Sequence, residues 1–112
     1  MMFHSSADRE AAPPVPPVER AGVRYAQAED GREHGLAQAG GVLLASDAAS
    51  GALLWTLQVY AEEADAALEG DVQWVFFTSM AFTADGHLRI VNEAGQAFLV
   101  DVARRQVLAA DH

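Results

Sequence analysis

The densest group of side chains that could carry chemistry in this sequence is a run of carboxylates. Five acidic residues fall within residues 62–71, namely Glu62, Glu63, Asp65, Glu69 and Asp71. A calcium loop would need the pattern D-x-[DN]-x-[DN]-G, which this run lacks. A catalytic pair is not indicated, because adjacent Glu62 and Glu63 point in different directions on a helix or a strand. The run predicts a solvated face or a docking surface for a basic protein partner; the alternative is a small-ligand or cation site.

Histidine, serine and glycine show no arrangement typical of an active site. The nucleophile motif G-x-S-x-G and the glycine-rich phosphate loops are missing. The four histidines form neither H-E-x-x-H nor H-x-H; they are His4, His34, His87 and His112. We therefore expect no catalytic residues, no metal and no cofactor.

The number and distribution of charged residues limit the classes of partner that the protein is expected to bind. The 112 residues carry 16 acidic and 7 basic side chains, which give a formal net charge of −9. The basic residues are all arginines, and none lies between Arg32 and Arg89, where eight acidic residues fall. Nucleic acids and anionic membranes are bound by clustered Lys and Arg, so the sequence predicts neither as a partner.

The sequence also bears on the cellular compartment. It contains no cysteine, so disulfides and thiolate metal sites are excluded. Asp8, Arg9 and Glu10 lie where a secretory signal would be apolar, and no run approaches the roughly 18 apolar residues of a membrane helix. We therefore expect a cytoplasmic protein.

Two segments differ in composition. All four prolines lie in residues 13–17, and residues 1–20 predict an extended N-terminal arm because proline fixes φ and lacks an amide hydrogen. Residues 21–112 predict a single, mainly β domain. Its expected form is an antiparallel meander of six to seven strands, at residues 22–28, 41–46, 53–60, 72–83, 87–92, 96–102 and 106–108. Residues 61–70 are either two helical turns or an acidic loop.

The longest apolar run, residues 72–83, predicts a strand that is apolar on both faces. A sheet with one solvated side would expose a large apolar patch there. The sheet is therefore covered by the proline-rich arm, curls on itself, packs as two layers, or packs against a second copy. Alternation places Trp74, Phe76, Thr78 and Met80 on one face and Val75, Phe77, Ser79 and Ala81 on the other.

A hairpin motif lies at residues 45–55. Asp47 can accept hydrogen bonds from loop amides, Gly51 can take the positive φ of the turn, and Trp55 returns on the next strand. With Ala45 and Ser50, these residues resemble the repeat Ala-x-Asp-x-x-Thr-Gly-x-x-x-Trp of quinoprotein-type β-propellers. The resemblance implies an isolated unit of blade-like hairpins, because the chain is too short to close a propeller, and no quinone site is carried over. A degenerate second copy follows 54 residues later, in which Leu99, Asp101 and Val107 occupy the places of Ala45, Asp47 and Leu53, but Arg105 and Ala109 stand in place of Gly51 and Trp55.

These observations favour a non-catalytic interaction or structural module that forms a homo-oligomer. Trp55, Trp74 and Phe77 are the expected apolar anchors, and the acidic run is expected to steer a basic partner. The rival hypothesis is a small-ligand or cation-binding protein that uses residues 62–71.

Overall fold

The computed structural model describes residues 15–61 and 75–111, and within these ranges the chain is mainly β. Neighbouring strands are antiparallel throughout, and they form two four-stranded meanders. Sheet 1 consists of β1 (Val18–Arg20), β2 (Val23–Gln27), β3 (Val42–Asp47) and β4 (Leu53–Gln58), in that order. Sheet 2 consists of β5 (Phe77–Phe82), β6 (Leu88–Asn92), β7 (Ala97–Asp101) and β8 (Gln106–Asp111). A short 3-10 helix, Gly31–His34, lies between β2 and β3.

The predicted antiparallel β fold is confirmed, but the predicted number of six to seven strands is too low and the sheet does not curl on itself. The described residues contain eight strands, divided equally between two sheets. The missed strand is β1, which lies in the predicted arm. It pairs with β2 through a two-residue turn in which Ala21 has φ 54° and Gly22 has φ 80°. Such a turn matches the twist of a hairpin, so the three residues after the prolines can join the sheet.

The two sheets share one apolar core. Tyr25, Leu43 and Ala45 of sheet 1 pack with the buried side chains of sheet 2. Ring contacts cross between the sheets, since Tyr25 lies 5.5 Å from Phe82 between centroids. The buried residues of sheet 2 are Phe77, Met80, Leu88, Ile90, Phe98 and Val100. Complete burial of each large side chain contributes about 1.5–3 kcal/mol, so this core is the main force that holds the sheets together.

Tyr60 follows β4 and connects the two sheets. Its ring stacks on Phe98 at 5.0 Å between centroids, and its hydroxyl donates a hydrogen bond of 2.6 Å to the carbonyl oxygen of Val75. Gln38 Nε2 in turn donates to the carbonyl oxygen of Tyr60 at 2.7 Å. The loop between β2 and β3 is thereby attached to the residue that joins the sheets.

A β-bulge changes the faces of β5. Phe77 pairs with Asn92 and Ser79 pairs with Val91, which leaves Thr78 without a pairing partner in the ladder. Phe77 and Met80 therefore share the buried face, whereas Thr78 and Ser79 are exposed. The prediction that Phe77 and Met80 lie on opposite faces is wrong because it assumed uninterrupted alternation. The outer face of β5 is also not the apolar surface that the sequence predicted, since Ser79 and Ala81 occupy it.

Candidate functional site

The turn between β3 and β4 is built by the residues of the hairpin motif. Asp47 Oδ2 accepts a hydrogen bond of 2.7 Å from the amide of Ser50, and the amide of Gly51 donates to the carbonyl oxygen of Asp47 at 2.8 Å. Ser50 Oγ accepts from the amide of Ala52 at 3.2 Å, and Gly51 has φ 81°. The backbone and side-chain hydrogen bonds from Ser50 hold the pKa of the Asp47 carboxyl below its usual value of 3.8. The motif residues thus make the turn itself.

The turn between β7 and β8 has the same construction 54 residues later in the chain. Asp101 Oδ1 accepts hydrogen bonds from the amides of Ala103, at 3.0 Å, and Arg104, at 3.1 Å. Arg105 has φ 58° at the position that corresponds to Gly51. An aspartate that accepts loop amides, followed by a left-handed residue, therefore closes both hairpins.

The two hairpins also share a bulge at corresponding positions. In sheet 1, Ala45 pairs with Trp55 and Ser46 pairs with Leu53, so Leu54 is the extra residue. In sheet 2 the register shift falls between Leu99 and Val100, whose partners are Ala109 and Val107, and Leu108 is the extra residue. The β3–β4 and β7–β8 hairpins are thus one structural unit that occurs twice.

Trp55 is half-buried and lies against residues of both sheets. Its ring centroid is 6.0 Å from that of Tyr25 in the same sheet. The guanidinium carbon of Arg105, which belongs to the turn of sheet 2, lies 5.5 Å from the centre of the Trp55 ring. The left-handed residue of the second hairpin therefore covers the tryptophan of the first.

Three large apolar side chains of the described residues are exposed, and all lie on the last strands of their sheets. Leu53 is 48% exposed and Leu54 is 49% exposed on β4, while Leu108 is 43% exposed on β8. Leu54 and Leu108 are the two bulge residues. Sequence reasoning missed this group, although three consecutive apolar residues, 53–55, cannot all face the core from a regular strand.

The residues predicted to bind a partner are not brought together in the described part of the chain. Phe77 is 0% exposed; its ring packs against Tyr60, and its amide donates to Gln27 Oε1. Phe77 is therefore a core residue in this structure and is not on a surface that a partner can reach. The other predicted contact residues lie outside the described ranges: Glu62, Glu63, Asp65, Glu69, Asp71 and Trp74.

Several charged side chains of the described chain form ion pairs with residues close to them in the sequence. Arg32 Nη2 lies 2.7 Å from Asp30 Oδ2, and the Arg32 side-chain hydrogen bond lowers the pKa of the Asp30 carboxyl. Within residues 15–61 and 75–111, no three or more His, Cys, Asp or Glu side chains are grouped as a metal site would require. In the same ranges no helix has the length and apolarity needed to cross a membrane.

No family model, no curated protein and no solved structure matches this chain. The features of this chain that bear on its function are therefore the hairpins, their exposed leucines and the charge of the sequence.

Proposed function

We propose that this chain is a non-catalytic interaction or structural module that self-associates. The observation that carries the proposal is the group of exposed leucines, Leu53, Leu54 and Leu108, on β4 and β8. Both strands are at the edges of their sheets, and within the described residues their outward backbone groups pair with no further strand. Apolar side chains at a free sheet edge are the kind of surface that protein contacts cover.

The association that these leucines support is weak. Complete burial of a leucine contributes about 1.5–3 kcal/mol, so three leucines that are about half exposed offer roughly 3 kcal/mol. Association itself costs about 4 kcal/mol or more in lost translational and rotational freedom. The leucines alone do not offset this cost, and the contact must include further surface from the sheets.

Self-association is tested by light scattering coupled to size-exclusion chromatography over a range of protein concentrations. The wild-type mass is expected to rise toward high-micromolar concentration and not to fall when salt is added, because the contact is apolar. A variant with Leu53→Glu, Leu54→Glu and Leu108→Glu is expected to remain monomeric. The matched control replaces three exposed turn residues, Ala49, Ala84 and Ala103, by Glu and adds the same charge. A wild-type protein that stays monomeric at every concentration overturns the proposal.

The acidic run at residues 62–71 supports a second proposed contact, with a basic protein partner. The support is its charge, five carboxylates in a protein of net charge −9. The test measures binding to a lysine-rich peptide at low and high salt, in the wild type and in a variant with Glu62, Glu63, Asp65, Glu69 and Asp71 changed to amides. Binding that is lost in the variant and weakened by salt supports the proposal, and equal binding by both proteins contradicts it.

The alternative for the same segment is cation or small-ligand binding. Thermal unfolding in the presence of calcium, magnesium or zinc separates it from the partner proposal. A rise in the unfolding temperature that disappears in the amide variant would favour a cation site. No change with any of the three metals leaves the partner proposal in place.

A further inference from the structure

The two hairpins are equivalent, but their sheets turn opposite faces toward the core. In sheet 1, Ala45 is fully buried and its cross-strand partner Trp55 packs against the core. The corresponding residue of sheet 2 is Leu99, which lies on the outer face, beside exposed Arg89. The face that sheet 1 buries is therefore the face that sheet 2 turns away from the shared core.

The opposite faces of the two sheets show the reverse arrangement: sheet 2 buries the face that sheet 1 turns outward. In sheet 2, Val100 is buried and its partner Val107 packs against the core. The corresponding pair of sheet 1 is Ser46 and Leu53, on the outer face, where Leu53 is 48% exposed. The face that sheet 2 buries is thus the face that sheet 1 turns away from the shared core; Leu53 is exposed there, whereas Val42 is covered by the loop that contains Gly31.

The contact between the two sheets consequently joins unlike faces of one repeated unit. A contact between unlike faces can repeat from one copy to the next. Each sheet still presents the face that the equivalent sheet uses for packing. If the two sheets had packed through equivalent faces, the two faces left on the outside would also have been equivalent to each other. Here the outer face of sheet 1 and the outer face of sheet 2 are of the two kinds that already pack together within the chain.

We propose that a second copy of the chain stacks head to tail on the first, with the outer face of sheet 2 of one copy against the outer face of sheet 1 of the next. This inference rests on the proposed self-association and specifies its geometry. The contact repeats between two copies the packing of unlike faces that the two sheets show within the chain. It covers exposed Leu53 and supplies the sheet surface that the leucines alone lack.

The composition of the two outer faces is compatible with this stack. The row across sheet 1 consists of Ala26, Leu44 and Thr56, and the row across sheet 2 consists of Ala81, Arg89 and Leu99. Neither of these two rows contains an acidic residue. The row of sheet 1 that ends at exposed Leu53 also contains Ser46, Arg24 and Glu19, and the Glu19 carboxylate lies 3.9 Å from the Arg24 guanidinium. Stacking the faces therefore brings one ion-paired carboxylate of sheet 1 toward the next copy, and the small residues allow close approach of the sheets.

A mixing experiment tests the arrangement. Leu53→Glu blocks the outer face of sheet 1, and Ala81→Glu blocks the outer face of sheet 2; both residues are exposed, so the fold should tolerate the changes. Each variant alone is expected to be monomeric. An equal mixture is expected to form dimers with one chain of each kind, because one variant keeps the face that the other needs. Native mass spectrometry with one isotopically labelled variant identifies these mixed dimers, and Ala84→Glu serves as the control that still assembles.

Other outcomes overturn the head-to-tail stack. If like faces meet, only one variant loses assembly and mixing produces no dimer of unlike chains. If β4 and β8 pair through their outer edges, Ala81→Glu on β5 still assembles alone; the proposed self-association then stands and the stack fails. A monomeric wild type overturns both proposals. Should circular dichroism show that either variant is unfolded, Thr56→Lys and Ser79→Lys block the same two faces with different side chains.

Discussion

The guanidinium carbon of Arg105 lies 5.5 Å from the centre of the Trp55 ring, so that the β7–β8 turn of sheet 2 covers the last strand of sheet 1. The two residues are 50 positions apart in the sequence, and they belong to equivalent hairpins. The contact is a cation–π pair that couples the turn of the second hairpin to the tryptophan of the first.

The first prediction concerns this pair. Trp55→Ala is expected to lower the free energy of unfolding by about 2–3 kcal/mol, less than the roughly 3–5 kcal/mol of a fully buried ring, because Trp55 is half-buried. Arg105→Ala is expected to cost about 0.5–1 kcal/mol. Urea unfolding of both single variants and the double variant should give a coupling energy of about 0.5–1 kcal/mol. Strictly additive losses would contradict the contact.

The second prediction concerns the backbone of Arg105, which has φ 58°. A residue with a Cβ atom pays roughly 1–2 kcal/mol in this conformation, whereas glycine does not. Because both variants lose the contact with Trp55, Arg105→Gly should be more stable than Arg105→Ala by at least about 0.5 kcal/mol. The neighbouring residue, Arg104, is the control: its φ is not positive, so Arg104→Gly should be less stable than Arg104→Ala.

The third prediction compares two glycines with similar backbone angles. Gly51 has φ 81° and open space where a Cβ would lie, so Gly51→Ala should cost about 1 kcal/mol. Gly41 has φ 76°, but its Cβ would lie 2.8 Å from Gln38 Nε2 and 2.9 Å from the carbonyl oxygen of Tyr60. Gly41→Ala should therefore cost at least about 1 kcal/mol more, because it disturbs the hydrogen bond that holds Tyr60. Equal losses in chemical denaturation would show that this hydrogen bond adapts freely.

The fourth prediction concerns pH. The pKa of Asp47 is lower in the folded chain than its ordinary value of 3.8, because the Ser50 amide donates to the carboxylate. The resulting stabilisation is fully present above the ordinary pKa and is lost as the pH falls through the folded pKa. Thermal unfolding of the wild type should therefore become easier below about pH 4, and Asp47→Asn should show a smaller pH dependence in that window. An identical acid profile for the two proteins would contradict the role of this carboxylate.

Much of the local structure could be predicted from the sequence. Asp47, Ser50 and Gly51 predicted a hairpin turn, and the structure confirms it with the expected hydrogen bonds and a positive φ. These features depend on residues within a few positions of one another, and their side-chain chemistry decides the turn without help from distant parts of the chain. The short strand β1 was not predicted. It has only three residues and directly follows the prolines, so it shows no alternation of apolar and polar side chains.

The candidate site was less predictable than the hairpins. Phe77 was expected at a partner surface, but the bulge after it rotates the strand and buries the ring. Conversely, Leu54 and Leu108 are exposed because a bulge removes each of them from the ladder. A bulge depends on how two strands align, which a pattern of apolar and polar residues along one strand does not specify.

The amino-acid sequence by itself determined the β character of the chain, the turn chemistry at Asp47 and Asp101, and the net charge of −9. Only the tertiary structure decided that the strands divide into two sheets, that Arg105 covers Trp55, and that equivalent hairpins bury opposite faces. The reason is physical: turns and strand propensity depend on neighbouring residues, whereas the choice of buried face depends on which distant surface is available to pack against it.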